Sequence, residues 1–116
     1  MFINVWQIDQ ERDDQRLAFL GFDQMAKVTG LKAPDQLIYD CVFSGEIEAN
    51  DLEDVFQRLN VGEKPDGFEG HSLSVSDVVA NDDGLWYCDN IGWRRFTWKQ
   101  DLPKQMVELF ERRAKG

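Results

Sequence analysis

The chain has 116 residues, 42% of them apolar, with 22 acids against 13 bases and a net charge of −9. That length and apolar content suit a single domain, read here over residues 1–116, with a modest core. No apolar run approaches the ~18 residues of a membrane span, and a body this negative repels phosphates, which argues against direct nucleic-acid binding.

Residues 2–8 alternate apolar and polar side chains and predict a strand with two partly buried faces. Residues 9–14 form an acidic turn suited to capping a following helix. Residues 15–29 predict that helix: Ala18, Phe22, Met25 and Thr29 make one stripe, widened by Leu17 and Leu20, and Gly30 is placed to end it. Residues 37–47 are β-rich and interrupted by Ser44-Gly45, as in a bulged or extended strand. Asn50 then opens a second helix, with Glu53 as its capping-box partner. Leu52, Val55, Phe56 and Leu59 follow at i, i+3, i+4 and i+7, a buried stripe.

Glycines and a proline punctuate residues 61–74, which read as irregular. Residues 76–80 and 85–89 predict two strands joined by the hairpin turn Asn81-Asp82-Asp83-Gly84. After a second turn at 89–92, residues 93–98 predict a further strand. Asp101 can cap a final helix, with Pro103 in its first turn. The order β-α-β-α-β-β-β-α predicts an α+β fold. Its sheet should be antiparallel, of about four to five strands, with about three helices mainly on one face.

Polar chemistry concentrates in Gly70-His71-Ser72-Leu73-Ser74-Val75-Ser76-Asp77, which holds the sole histidine. His71, Ser72, Ser74 and Asp77 supply the residue types of a hydrolytic triad. Neighbours in sequence seldom take triad geometry, however, and no G-x-S-x-G elbow is present. The packing reading is that Ser74, Ser76 and His71 satisfy backbone groups that the irregular segment leaves unpaired. A pocket-lining role would draw in Tyr87 and Asp89. Cys41 and Cys88 lie in predicted strands, where a free thiol is usually a small buried apolar group. They are expected to be reduced, and are too few for a zinc site without carboxylates. No metal, cofactor or catalytic residue is assigned.

The charge is uneven. Residues 1–93 carry 19 acids and 6 bases, a net of −13, whereas residues 94–116 carry 3 acids and 7 bases. Two clusters stand out: Asp9, Glu11, Asp13, Asp14, and Glu46, Glu48, Asp51, Glu53, Asp54. Helix N-termini favour acids, which accounts for part of each. On a shared face, such carboxylates would imitate DNA phosphates, spaced at one charge per ~1.7 Å of duplex axis. Trp93, Phe96 and Trp98 alternate with Arg94, Arg95 and Lys99. That pattern fits base stacking or a strand with one packed face.

Several segments together resemble the YodL-like family. They are Val5-Trp6-Gln7, Tyr39-Asp40-Cys41-Val42-Phe43-Ser44-Gly45-Glu46, Leu52-Glu53-Asp54-Val55-Phe56 with Leu59-Asn60, Pro65-Asp66-Gly67-Phe68-Glu69-Gly70, the His/Ser motif through Val79, and Trp86-Tyr87-Cys88-Asp89-Asn90-Ile91-Gly92-Trp93. Cys88 departs from the family pattern, which has a second tyrosine there. The resemblance implies a small cytoplasmic bacterial module associated with conjugative elements, plasmids and phage, where anti-defence proteins also travel. Met1-Phe2-Ile3-Asn4-Val5-Trp6 lacks the marks of an export signal, in line with a cytoplasmic location.

The expected function is a non-enzymatic acidic protein that binds and blocks a basic, nucleic-acid-handling host protein such as a restriction or CRISPR nuclease. The two acidic clusters would form its partner-binding surface. The alternative is a small enzyme or ligand-binding module built on His71, Ser72, Ser74 and Asp77.

Overall fold

The computed structural model describes residues 1–31 and 33–98. Strands β1 (Phe2–Ile8), β2 (Tyr39–Glu46), β3 (Val78–Asn81), β4 (Gly84–Cys88) and β5 (Trp93–Phe96) join helices α1 (Phe22–Thr29) and α2 (Leu52–Asn60). The strands form one antiparallel sheet in the order β2-β1-β3-β4-β5. The α+β class and the five-stranded sheet are as expected. The helix expected after Asp101 lies outside the described residues.

The layering differs from the expectation of helices mainly on one face. Period-two alternation sends Trp6, Cys41, Val78 and Tyr87 to one side, where Phe22 and Met25 of α1 cover them. Ile3, Val5, Phe43 and Val79 point to the other side, where Val55 and Leu59 of α2 cover them. The sheet therefore lies between the two helices. Every strand of a sheet with two apolar faces needs cover on both. The sequence signals this as Val5-Trp6 and Val78-Val79, adjacent apolar residues that face opposite ways.

The register of β1 on β2 shifts between Val5 and Trp6, so Val42 is the extra residue of a bulge. The bulge frees the Val42 carbonyl to accept from Glu69 N at 2.9 Å. β2 is thus one bulged strand, one of the two expected forms, with the irregularity at Val42 and not at Ser44-Gly45. β2 runs unbroken to Glu46, after a short 3-10 turn over Gln36–Ile38.

The first helix is shorter than expected. Residues 15–21 do not join it, because side chains from elsewhere take their backbone groups. Asp13 accepts from Leu17 N and Ala18 N at 2.7 and 3.0 Å. Ser76 Oγ accepts from Phe19 N at 2.9 Å, and Tyr87 OH donates to Leu20 O at 2.6 Å. Arg16 and Phe19 take left-handed conformations, with φ of 56° and 70°. α1 then starts where Asp89 Oδ1 accepts from Phe22 N at 3.0 Å. A Cβ at Gly21 would press on the side-chain ends of Asn90 and Asp89, the latter being the cap of α1. Gly30 ends α1 in the left-handed conformation, as expected.

α2 begins one residue later than expected. Asp51, not Asn50, is the cap and accepts from Asp54 N at 2.9 Å, while Asp54 accepts from Asn50 N at 3.0 Å. Asp54 thus takes the reciprocal place expected of Glu53. Val55 and Leu59 are buried, and Leu52 and Phe56 are half-buried against the same cluster.

Candidate functional site: an acidic cleft at one end of the sheet

The motif folds into the interior. Asp77 and Ser76 are each 2% exposed. Asp77 Oδ2 accepts from Ser74 N at 2.8 Å and from Gln7 Nε2 at 3.0 Å. Gln7, itself buried on β1, also donates to His71 O at 2.9 Å and accepts from His71 N at 3.1 Å. Asn60 grips Leu73 the same way, through Nδ2 to the carbonyl and Oδ1 from the amide. Gln7 and Asp77 therefore pin the irregular segment to the sheet, and Asn60 pins it to the end of α2. A Cβ at Gly70 would collide with Gln7 Oε1 and Val42 Cγ2, which explains the glycine beside the histidine.

Of the two serines expected to satisfy backbone groups of the irregular segment, Ser74 does so and Ser76 does not. Ser76 Oγ clamps Phe19, in residues 15–21, and Ser76 itself takes φ of 83°. Ser74 Oγ makes only a local bond to Ser72 O at 3.1 Å. His71 Nδ1 sits 2.7 Å from that same carbonyl. Among the described residues no hydrogen bond joins His71 to Ser72 Oγ, Ser74 Oγ or the Asp77 carboxyl. The triad residue types are thus close in space without a nucleophile–base or base–orienter contact. Tyr87 OH and Asp89 are committed to Leu20 O and Phe22 N, away from His71.

Burial pushes the Asp77 carboxyl up to about 7, against the bonds from Ser74 and Gln7 and the His71 charge. Burial also pushes the Cys88 thiol up to about 12, so it stays protonated at neutral pH. Cys41 is fully buried. Phe96 is buried, and Trp98 packs on Trp6, Tyr39 and Phe96 at centroid distances of 5.8, 5.2 and 5.1 Å. These two rings pack with the core.

The two acidic clusters do not share a face. Phe2 pairs with Glu46 and Ile8 with Tyr39, so the clusters lie at opposite ends of the β1–β2 pair. Six steps of ~3.3 Å put them roughly 20 Å apart. Local structure consumes much of the first. Asp9 caps a 3-10 turn over Gln10–Arg12 and pairs with Arg12 at 3.1 Å, Arg12 reaches Asp40 at 2.7 Å, and Asp13 caps residues 17 and 18. Glu11 and Asp14 are left exposed.

The second cluster gains members. β3 runs antiparallel to β1, with Asn4 opposite Ala80, which carries the β3–β4 turn to the Phe2 end of the sheet. Exposed Asp82 and Asp83 thereby join Glu46, Glu48, Asp51, Glu53 and Asp54. All of these acids but Asp82 border two adjoining clefts of about 680 and 370 Å³, which share Met1 and Asn50. Leu52 and half-buried Trp86 line the smaller one, with Trp86 Nε1 donating to Asn81 Oδ1 at 3.1 Å. Two cations lie beside these acids: the Met1 ammonium, 2.9 Å from Glu46, and the Arg95 guanidinium, 5.9 Å from the centre of the Trp86 ring. Asp82 and Asp83 read in sequence only as turn formers; their place at this end of the sheet, with Asp83 in the cleft wall, follows from the pairing of β1 with β3, which local patterns do not encode.

Among the described residues no group of three or more His, Cys, Asp or Glu side chains converges to hold a metal ion. No helix among them is long and apolar enough to cross a membrane. No curated protein and no solved structure matches the chain. The YodL-like domain pattern does match, over residues 2–98, from the first strand to Trp98, and takes in the whole of the described sheet. By that match, over most of its length, the chain belongs to the YodL-like domain family.

Proposed function

We propose that this protein is a non-enzymatic binding protein of a mobile element or phage. It occupies the nucleic-acid-binding face of a basic host-defence protein, a nuclease of the restriction or CRISPR kind. One observation carries the reading: six carboxylates line a cleft at one end of the sheet with Trp86 and Leu52 in its wall, and exposed Asp82 lies in the adjoining turn. Carboxylates in such an array stand in for phosphates, and clefts lined by one sign of charge focus the field that draws in a basic partner. An aromatic side chain inside a polar rim is the usual anatomy of a binding hot spot. The bacterial, mobile-element setting that the family resemblance implies supplies the context.

The enzyme alternative has less support. The side chains of His71, Ser74 and Asp77 are engaged with backbone and buried amide groups, and Ser72 Oγ faces Lys64 Nζ at 3.4 Å.

The test is capture by the immobilised protein of nucleases from a matched host, followed by a cleavage assay. Capture and inhibition are expected at low ionic strength, with loss as salt screens the exposed carboxylates. If no nuclease is bound or inhibited, or if binding ignores salt, the proposal fails.

A further inference from the structure

Phe19 holds a conformation that bulky residues avoid, with φ of 70°, yet its side chain is 56% exposed. The surroundings over-determine that backbone. Ser76 Oγ takes the Phe19 amide, Asp13 takes those of Leu17 and Ala18, and Tyr87 holds the Leu20 carbonyl. Strain maintained in this way is common at ligand clamps. The ring it presents lies 6.3 Å from the His71 ring, tilted by 44°.

His71 is equally fixed, because both its backbone groups bind the buried Gln7 side chain. Its Nδ1 faces the Ser72 carbonyl at 2.7 Å. A carbonyl only accepts, so Nδ1 carries the hydrogen and a neutral ring keeps its lone pair on Nε2. Two exposed rings, one with a free π-face and one with an oriented acceptor, are thus held side by side at the sheet end opposite the acidic cleft.

We infer that Phe19 and His71 form a reader for an arginine of the partner, its guanidinium lying on the Phe19 ring and donating to Nε2 of His71. A flat cation with several donors fits both requirements, and a compact ammonium satisfies only the charge. The net −13 over residues 1–93 and exposed Glu69, two residues from His71, favour a cation. Two cations are also near: Arg16 is exposed, and Lys64 Nζ is 3.4 Å from Ser72 Oγ and 6.0 Å from the centre of the Phe68 ring. They would suit an anionic aromatic ligand such as a nucleotide, which the overall charge disfavours. The inference rests on the basic-partner reading and adds a second, chemically selective contact to it.

The experiment titrates the full chain with octa-arginine, octa-lysine and ATP, followed by side-chain NMR signals and calorimetry. Octa-arginine is expected to shift the Phe19 and His71 ring signals and to bind about two- to fivefold more tightly than octa-lysine. Phe19→Gly relieves the left-handed strain, so it should keep or raise Tm while erasing that preference; His71→Ala should weaken it. Equal affinities for the two peptides would overturn the inference. So would an arginine preference that survives in Phe19→Gly, or ATP shifting the two rings more than octa-arginine does. Octa-lysine shifts at Glu48, Glu53 and Asp83 report separately on the acidic cleft. Their absence would count against the basic-partner reading, while the arginine preference stands or falls on the ring signals.

Discussion

Asp77→Ala is expected to destabilise the protein by about 2–4 kcal/mol, and Asp77→Asn to leave it folded with an altered pH profile. The alanine removes the acceptor of Ser74 N and one of the two acceptors of Gln7 Nε2. Leaving a buried donor unpaired costs about 1–3 kcal/mol each. Asparagine keeps an oxygen for both bonds but cannot ionise. Burial raises the Asp77 carboxyl from 3.8 to about 7 in the folded protein. A raised folded value means that the native state prefers the protonated form. The stability this contributes is complete below about pH 4 and is lost as pH rises through about 7. Asp77→Asn removes that loss, so its stability relative to the wild type should climb between about pH 4 and about pH 8. The climb should be on the order of 1–3 kcal/mol, below the roughly 4 kcal/mol that the full shift would give. Urea unfolding of both proteins across that range provides the check, and parallel pH profiles would contradict it.

Leu59→Ala should cost about 2–5 kcal/mol. Leu59 is 1% exposed and packs in one cluster with Ile3, Val5, Val55 and Val79, beneath the sheet face that α2 covers. Truncation opens a cavity between two rigid layers, and the strands cannot move in to fill it without breaking their ladder. Phe56→Ala should cost less than a fully buried aromatic would, since Phe56 is half-buried at the margin of the same cluster. Thermal and urea unfolding measure both. A loss under about 1 kcal/mol at Leu59 would mean that the stripe does not seal the sheet.

The strands and the second helix were legible because their signals are local. Phe2–Ile8 alternates, Asn81-Asp82-Asp83-Gly84 spells a tight hairpin, and Val55 and Leu59 keep helical spacing. Residues 15–21 were misread because the stripe through Leu17, Ala18 and Phe22 looks helical, while the groups that prevent a helix are distant in sequence. Ser76 and Tyr87 lie 57 and 67 residues from the backbone atoms they hold. The same distance hid the role of Gln7, a polar residue in a strand whose partners are His71 and Asp77. The density of polar groups in the His/Ser motif is plain in the sequence. Which of its members face inward depends on the left-handed turn at Ser76, which nothing in the local sequence marks.

The central claim is that the acidic end of the sheet, and not net charge alone, meets the partner. Its most direct test compares association rates of two double variants with a captured nuclease. Glu48→Gln with Glu53→Gln, at the cleft, and Glu11→Gln with Asp14→Asn, at the other end, each remove two charges from the same −9. Rim charges act mainly on the association rate. The cleft pair should slow association on the order of tenfold at low salt, and the opposite pair should stay within about twofold of wild type. Equal slowing by both pairs, or greater slowing by the Glu11/Asp14 pair, would contradict the placement of the binding surface at the cleft.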